Sequence, residues 1–507
     1  MKHIFFSSIS LLSLLFLLLL EACADSETLS LPMPDEGEGS GVYVSISVAV
    51  ADSQGTQSRA IGSPKPGEDG DGLQVGTGDE NEVHDLNVFF FQTTDGKGIN
   101  TSDNAANVKL VSAFFDKLTP SPSGTITRYM TLPVEIPGLK VGQTYNVLVV
   151  ANAGDKFELA SSHSTLEDLR DETIMAMSEN SGAHRFVMAS AGPEVDNIEI
   201  IPNNSPTNPS IVSVDVERLA ARVDYHIEDE YSIETTNDKV KILGATLVNK
   251  YLSVNKYLSS YVFKRVTEGT ELSNASSVVY LGNEKGNDTE PASNYVVDPK
   301  TLNPPTSNIK DSYEIYFSDY STWSSSIKWN KPSSSITSTS KQDNVTYGYL
   351  DYTSENVVSA EVASNAMSQY CTGIVFKAQY IPEGFEDKSD NSFYWYDGKA
   401  YSNIDEIDID GVSESNYEDY GIISYFSGIC YYTYWIRHAD DGNPNVISPM
   451  EYAIVRNNLY QLKVNSISGI GSVTPQDDVK VTIDVYVKNW ESIDTEDVVW
   501  GDPLPIN

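Results

Sequence analysis

Alternation of apolar and polar side chains is the strongest pattern near the start of the chain. Every second residue from 42 to 50 is apolar, and the residues between are smaller or more polar. This period of two is typical of a β-strand with one buried face. A polar, glycine-containing loop, residues 51–59, follows at once. The pattern predicts a strand whose apolar side chains face the core of an N-terminal domain. These side chains are Val42, Val44, Ile46, Val48 and Val50.

The remaining chain is also rich in strand patterns. Apolar runs or alternation predict strands at 86–91, 125–134, 144–150, 373–380 and 479–490. Residues 165–180 predict a helix with Ser164 or Thr165 as its N-cap. Residues 213–227 fit either a helical turn or strands, and the Ser/Thr/Lys-rich stretch 321–343 predicts a surface loop. We therefore expect a mostly β protein with a few short helices, and at 507 residues more than one domain.

The first 23 residues have the composition of an export signal. A short basic start precedes the almost wholly apolar stretch 4–20, which is too short and one-sided for a confident membrane span. The sequence Leu20-Glu21-Ala22-Cys23 resembles a bacterial lipobox, although Glu21 departs from the usual small or aliphatic residue. We expect Cys23 to carry the lipid. An ordinary signal peptide with an incidental cysteine is the alternative.

Charge and chemistry narrow the function further. A net charge of −39 argues against binding nucleic acid or an anionic lipid surface. No HExxH pair, GxSxG elbow or P-loop is present. Residues 406–411 imitate a calcium loop but start with Glu406 and place Tyr417 where a bidentate glutamate is needed. We therefore expect no enzyme activity, metal or cofactor, and a structural role for His438.

Two cysteines remain beyond Cys23. Cys371 and Cys430 both lie in apolar, strand-like sequence, and an exported chain reaches an environment where disulfides form. The sequence leaves a Cys371–Cys430 disulfide and two buried free thiols equally open.

Arg59 ends the loop that follows the predicted first strand. It is the first arginine of the chain, the next is Arg128, and residues 60–82 are again loop-like. An arginine-specific protease cutting between Arg59 and Ala60 would release everything before it, including the strand. At the other end, residues 491–507 form a tail with regularly placed apolar residues. These are Ile493, Val498, Trp500, Leu504 and Ile506.

Several stretches resemble the fimbrillins of Bacteroidetes, the type V pilins, and within them the major shaft subunits of minor (short) fimbriae. They are residues 145–154 (YNVLVVANAG), 216–225 (VERLAARVDY), 294–299 (NYVVDP), 373–380 (GIVFKAQY) and 431–464, with Gly469, Gly471 and Trp490. The long motif 431–464 is the most specific.

The resemblance implies two transthyretin-like β-sandwich domains after a lipoprotein signal and propeptide. The implied division is signal 1–22, propeptide 23–59, N-terminal domain 60–215, C-terminal domain 216–490 and donor tail 491–507. It also implies a precursor lipid-anchored at the outer membrane, cleavage after Arg59, and loss of the first strand. A neighbouring subunit's tail would fill the vacated groove in a cell-surface fimbrium that supports adhesion and biofilm formation. The implied partners are other copies of the chain, accessory tip and anchor pilins, and an arginine-specific surface protease.

Alternatives remain open at this stage. The first strand could be permanent, Arg59 an ordinary loop residue, and the tail folded on its own body or disordered, or the donor segment could be 479–490. The chain could also be a tip adhesin or an anchor. A glycan-binding or hydrolytic surface lipoprotein, with Trp395 between Tyr394 and Tyr396 as its aromatic platform, is the alternative from another class.

Overall fold

The structure is a computed structural model. It describes residues 41–50, 73–92, 107–123, 126–157, 165–171, 173–174, 177–180, 183–190, 196–250, 256–257, 280–282, 294–296, 313–332, 339–342, 344–356, 358, 360–385, 391–438, 446–447, 451–477 and 480–491.

Strands dominate the first half of the chain. They are β1 (Tyr43–Val50), β2 (Leu73–Val75), β3 (Leu86–Phe91), β4 (Val111–Phe115), β5 (Leu118–Ser123), β6 (Ile126–Thr131), β7 (Val134–Glu135), β8 (Thr144–Ala151), β9 (Thr173–Ile174), β10 (Met177–Asn180), β11 (Ala183–Phe186), β12 (Met188–Ser190), β13 (Asp196–Glu199), β14 (Ser210–Arg218) and β15 (Ala220–His226).

The second half continues in the same way. Its strands are β16 (Tyr231–Ser232), β17 (Lys239–Val248), β18 (Lys256–Tyr257), β19 (Tyr280–Gly282), β20 (Asn294–Val296), β21 (Thr339–Gln342), β22 (Val345–Ser354), β23 (Gly373–Ile381), β24 (Phe393–Tyr396), β25 (Lys399–Tyr401), β26 (Ile423–Tyr425), β27 (Ile429–Trp435), β28 (Asn458–Ile467) and β29 (Val481–Glu491).

Helices are few and short among the described residues. The α-helices are α1 (Gly78–Asn81), α2 (Leu166–Asp171), α3 (Tyr320–Trp323) and α4 (Ala360–Tyr370). Turns of 3-10 helix lie at Gly154–Phe157, Phe317–Asp319, Ile404–Glu406, Tyr417–Tyr420 and Phe426–Gly428. The mostly β fold predicted from the sequence is confirmed.

One ten-stranded sheet builds the first core. Its main path runs β4-β3-β8-β12-β14-β1-β6-β5, with β13 paired to β8 and β7 paired to β1. β3 is buried along its whole length, as its unbroken apolar run predicts. The buried side chains of this core come from residues 42–220, together with Leu459.

Two sheets packed face to face build the second core. One runs β2-β29-β28-β15-β22-β21, and the other runs β16-β17-β23-β27. Tyr225 and Leu462 from the first sheet meet Phe376 and Tyr432 from the second. This arrangement is a β-sandwich. The outer face of the four-stranded sheet is covered by α4, by residues 313–329 and by an aromatic cluster that includes Trp435.

The helix predicted at 165–180 is only partly correct. It begins at Leu166 with Thr165 as the N-cap, where the Asp168 N–H donates to Thr165 Oγ1 (3.3 Å) and the Thr165 N–H donates to Asp168 Oδ2 (3.1 Å). It ends at Asp171 because the following residues pair as strands. β9 pairs with β18, and β10 forms a hairpin with β11.

Strand pairing between residues distant in sequence decides the structure of two other stretches. Residues 213–227 form no helix, because β14 pairs with β1 and β12 while β15 pairs with β22 and β28. The predicted loop 321–343 is wrong at both ends, where α3 and β21 form. The two main cores meet at Ala220 and Ala221, whereas the predicted boundary at residue 216 falls inside β14.

Candidate functional site

β1 occupies the interior of the first sheet. It pairs in parallel with β14, from Val44 opposite Ser210 to Val50 opposite Val216. On its other edge it pairs antiparallel with β6 at Ser47–Ala49 and with β7 at Tyr43–Val44. We call the channel that β1 fills, between β14 on one bank and β6 with β7 on the other, the β1 groove. A strand in this position has both backbone edges hydrogen-bonded.

The inward face of β1 is fully part of the first core. Its alternating side chains are 0–3% exposed. They are Val42, Val44, Ile46, Val48 and Val50, the five positions singled out from the sequence. At roughly 1.5–3 kcal/mol for each buried side chain, they contribute on the order of 10 kcal/mol before ordering costs. An empty groove would expose an apolar trough of the same size.

Asn204 fixes the start of the strand. The Tyr43 N–H donates to Asn204 Oδ1 (2.5 Å), and Asn204 Nδ2 donates to the Tyr43 carbonyl (2.8 Å). The same amide also donates to Ser210 Oγ (3.1 Å), at the first residue of β14. The side chain therefore imitates a neighbouring strand where the β14 ladder has not yet begun.

Thr131 bridges a gap in the opposite bank. β6 ends at Thr131 and β7 begins at Val134, because Leu132 and Pro133 interrupt the ladder and proline has no N–H to donate. The Ile46 N–H donates to Thr131 Oγ1 (2.9 Å), and Ser45 Oγ donates to the Thr131 carbonyl (2.8 Å). β1 thus keeps its hydrogen bonds across the break.

The β5–β6 hairpin depends on β1 for its place in the sheet. Among the described strands, β6 pairs with β1 on one edge and with β5 on the other, and β5 has no further partner strand. Removing β1 would therefore divide the ten-stranded sheet between β14 and β6. Without β1, the strand edges on both banks of the β1 groove would lack a partner.

The chain downstream of the predicted cleavage point is anchored elsewhere. β2 adds in parallel to the end of β29, pairing Leu73 with Asn489 and Val75 with Glu491. β2 therefore belongs to the sandwich of the second core, although it precedes the first-core strand β3. The 22 residues that separate Val50 from Leu73 contain Arg59 and lie outside the described ranges.

A buried ion cluster holds α1 in place. Arg222 Nη1 lies 3.3 Å from Glu80 Oε1, and both side chains are 3% exposed. Arg222 also donates to Asp224 (2.8 Å and 3.0 Å), the Tyr352 hydroxyl donates to Glu80, and Arg218 Nε donates to the Glu80 carbonyl (2.8 Å). Glu80 belongs to α1, whereas Arg222 and Tyr352 lie in the six-stranded sheet. The cluster therefore fixes this segment to the second sandwich.

The pKa of Glu80 reflects two opposed effects. Burial is the largest and disfavours the charged carboxylate, but Arg222, the Tyr352 hydroxyl, the Thr77 N–H and Arg218 together outweigh it and lower the pKa. In Asp224 burial prevails over Arg222 and raises the pKa. Glu80 is therefore the carboxylate of the cluster whose ionised form the fold favours.

Several predicted site residues lie outside the described residues. These are the lipidation residue Cys23, the cleavage pair Arg59 and Ala60, and the tail residues Ile493, Val498, Trp500, Leu504 and Ile506. Their roles stay predictions. The described residues end at Glu491 in β29, which pairs there with β2, whereas its pairing with β28 reaches Asn489.

Neither of the two remaining cysteines forms a disulfide, and both thiols are buried. Cys430 pairs with Ala378 across β27 and β23, while Cys371 lies before the start of β23. That separation along the strand is roughly 20 Å at ~3.3 Å per residue, well beyond the ~4.4–6.8 Å between Cα atoms that a disulfide allows. The disulfide alternative is therefore replaced by the free-thiol alternative. Burial raises the pKa of the Cys430 thiol to about 11.

His438 and Trp395, two other residues singled out from the sequence, are packed into the described structure. His438 is buried with its Nδ1 2.9 Å from the Tyr460 hydroxyl. Trp395 is half-buried and packs against the second core, with its ring 5.9 Å from that of Tyr380. Within the described ranges, no group of three or more metal-ligating side chains comes together. The helices described there are all too short or too polar to cross a bilayer.

Sequence reasoning found the inward face of β1 but missed the residues that hold it. Asn204 lies in the loop NNSPTNP and gives no signal that its amide caps a strand 161 residues away. Thr131 carried one weak signal, the Leu-Pro pair that follows it. Glu80 looked like one acid among many in a loop-like stretch.

Two stretches of the chain match known family models. Residues 44–208 match the model of the major fimbrial subunit protein, FimA. Residues 424–496 match the model of the major fimbrial subunit protein type IV, fimbrillin, C-terminal. The first match begins within β1 and ends just before β14, and the second includes β27, β28 and β29. No curated protein is significantly similar to the chain in sequence.

Solved structures are similar at low identity. A candidate cell adhesion protein from Parabacteroides distasonis is 14% identical, with 89% of this chain and 100% of that chain covered and a TM-score of 0.39. The C-terminally truncated tip fimbrial protein Mfa3 from Porphyromonas gingivalis is 12% identical, with 89% and 100% covered and a TM-score of 0.35. A fimbrial assembly protein from Parabacteroides distasonis is 17% identical, with 51% and 86% covered and a TM-score of 0.26.

Proposed function

From the premise that this chain is a fimbrillin, we propose that it is a structural, non-catalytic shaft subunit of cell-surface fimbriae. The subunit is exported as a lipoprotein precursor anchored through Cys23 at the outer membrane. It is cut between Arg59 and Ala60 by an arginine-specific surface protease and then polymerises by donor-strand exchange. The resulting fimbria supports adhesion and biofilm formation, with accessory tip and anchor pilins at its ends.

The observation that carries this proposal is the position of β1 inside the first sheet. Its departure would leave unpaired N–H and C=O groups on β14 and on β6 with β7, together with an apolar trough. Unpaired backbone groups and exposed apolar surface are both costly, so a strand from another molecule is strongly favoured in the vacant groove. Until cleavage, β1 acts as an internal plug that prevents assembly.

The anchoring of the downstream segment supports the same proposal. Cleavage within residues 51–72 separates β1 from β2, and β2 and α1 are held by β29 and by the Glu80 cluster rather than by β1. The cut therefore frees the plug without unfastening the new N-terminal segment. We propose the division given by the resemblance, with the propeptide ending at Arg59 and domains from 60 and from 216. At the borders of these domains β2 packs with the second sandwich, and the first core extends to Ala220.

The donor is the tail of a second copy, residues 491–507. Pro503 and Pro505, which lack N–H donors, suit the far end of an added strand. The apolar residues that would fill the trough are Ile493, Val498, Trp500, Leu504 and Ile506. The tail follows β29 directly, so it leaves the body of the donor subunit at the edge where β2 is attached.

The test uses purified precursor that lacks residues 1–23. Treatment with an arginine-specific protease should give ladders of polymer that resist SDS. Arg59→Ala should block both cleavage and the ladder, while the matched variant Lys65→Ala, in the same segment, should polymerise normally. Deletion of residues 492–507 should leave cleavage intact and stop growth. A ladder from Arg59→Ala equal to that of the unmodified precursor would refute the proposal.

A further inference from the structure

Beyond Tyr43, the outward face of β1 carries small, well-covered side chains. Ser45 and Ser47 are 4% exposed and Ala49 is 1% exposed, although they point away from the core. Ile211 of β14, directly opposite Ser45 on the same outward face, is 60% exposed. Solvent therefore reaches the neighbouring strand but not Ser45, Ser47 or Ala49 of β1. Neighbouring groups therefore cover these three small residues.

Over Ala49 the covering groups are an arginine and an aspartate. Ala49 is paired with Arg128 of β6 on one edge and with Asp215 of β14 on the other. Residues directly opposite in a sheet project to the same face, so all three side chains point outward. Arg128 Nη2 lies 3.4 Å from Asp215 Oδ1. The banks are about 10 Å apart, two strand spacings, so this ion pair crosses the groove above the alanine methyl.

The guanidinium of Arg128 also lies low on the sheet. Its Nη1 atom is buried and has no hydrogen-bond partner within the described part of the chain. If the Arg128 side chain extended straight into solvent, this nitrogen would be exposed. The side chain as a whole is 31% exposed, so part of the guanidinium lies against neighbouring groups of the sheet, and a side chain larger than alanine at position 49 would compete with it for space.

We propose that Arg128 and Asp215 form a strap that determines which strand the β1 groove accepts. The groove restricts the side chains on both faces of the strand that it holds. The core side takes β-branched or other apolar side chains, and the strap side admits only a small residue at the position of Ala49. The strap acts on β1 in the precursor. For a strand from a second copy of the chain the inference rests on the proposed function.

The precursor tests the strap independently of assembly. Ala49→Leu should lower the hydrogen-exchange protection of the β1 amides by about tenfold or more, since overpacking a filled site destabilises it. Ala49→Ser, which stays small, should leave protection within about twofold. In the Arg128→Ala background, where the strap is gone, Ala49→Leu should lose most of its effect. Ala49→Val replaces the leucine variant if that variant does not fold.

An equal loss from Ala49→Leu with and without Arg128 would overturn the strap, as would no loss in either background. Loss of protection confined to the Arg128-containing protein supports it. The comparison is made within each background, so a general destabilisation by Arg128→Ala does not affect the result.

Peptide capture extends the test to a strand supplied from outside. Precursor cleaved after Arg59, with residues 492–507 deleted, is mixed with fluorescein-labelled peptides of residues 41–51. The natural peptide should bind at least about tenfold more tightly than the peptide carrying Ala49→Leu, and Arg128→Ala should reduce that preference to about twofold or less. Equal binding of the two peptides would contradict the strap. If neither peptide binds, strand release is refuted, and the precursor comparison still decides the strap.

Discussion

Truncation of Ile46 tests how strongly β1 is held. Its side chain is fully buried in the first core, and its N–H donates to Thr131 Oγ1, a bond that the substitution leaves intact. Ile46→Ala removes apolar contacts and leaves a cavity. For a fully buried isoleucine this costs about 2–5 kcal/mol. A loss of ~3 kcal/mol raises the fraction of molecules in which β1 has opened by roughly a hundredfold.

Ile211→Ala is the matched control. Ile211 is the same residue type on the neighbouring strand β14, but it is 60% exposed and points outward. Its truncation should change stability by no more than about 0.5 kcal/mol. The two variants therefore differ in the buried face of the groove and not in chemistry or sheet.

Two assays measure the effect of Ile46→Ala. Hydrogen exchange of the amides of β1 and β14 reports local opening, and urea unfolding reports the free energy of unfolding. In Ile46→Ala the protection of these amides against exchange and the free energy of unfolding should both fall. Proteolysis after Arg59 should yield polymer sooner because the plug leaves more readily. If Ile46→Ala behaves like Ile211→Ala in exchange and unfolding, β1 is not a strand held by its inward face, and the energetic basis of the plug fails.

The remaining predictions concern other parts of the structure. Glu80→Gln should destabilise the precursor by about 3–5 kcal/mol at pH 7, because it leaves buried Arg222 without one of its carboxylates. Since the folded state lowers the pKa of Glu80, the stabilisation by its charge is complete above the unfolded value of about 4.3. It is lost as pH falls through and below that value, so the difference in urea-unfolding free energy from Glu80→Gln should shrink between pH 6 and pH 3. A difference independent of pH would contradict the assignment. Thr131→Val should cost about 1–3 kcal/mol in urea unfolding, because it leaves the Ile46 N–H without its acceptor, whereas Thr127→Val on the same strand should cost less than about 0.5 kcal/mol. Cys371 and Cys430 should resist iodoacetamide at pH 8 in the folded protein and react fully in urea, since both are buried and burial raises the pKa of Cys430 to about 11. Rapid labelling of the folded protein would place a thiol at the surface.

The local sequence pattern correctly predicted the long strands that pack against a single core. The alternation of β1 and β29 and the apolar run of β3 are visible in sequence because apolar side chains that face a core recur every two residues, or at every residue, over a whole element. The sequence predicted one buried face for β1, whereas Ser45, Ser47 and Ala49 on its other face are buried as well. The N-cap of α2 was also predictable, because Thr165 and Asp168 are three residues apart.

Partners distant in sequence were not predictable from a local pattern. The helix at 165–180 ends early because β9 pairs with β18 and β10 with β11, contacts that outweigh helix propensity. The Arg128–Asp215 strap joins residues 87 positions apart that only the shared pairing with Ala49 brings together. Asn204 and Thr131 likewise act on β1 through bonds that leave no periodic trace.

The most direct test of the central claim follows hydrogen exchange at β14 through cleavage and assembly. Amides of residues 210–216 should be protected in the precursor, exposed in cleaved subunits that lack residues 492–507, and protected again in polymer from which mass spectrometry shows fragment 24–59 to be absent. This sequence of changes means that β1 has left and a strand from another copy has replaced it. Polymer that retains fragment 24–59, with β14 protected throughout, would contradict the account.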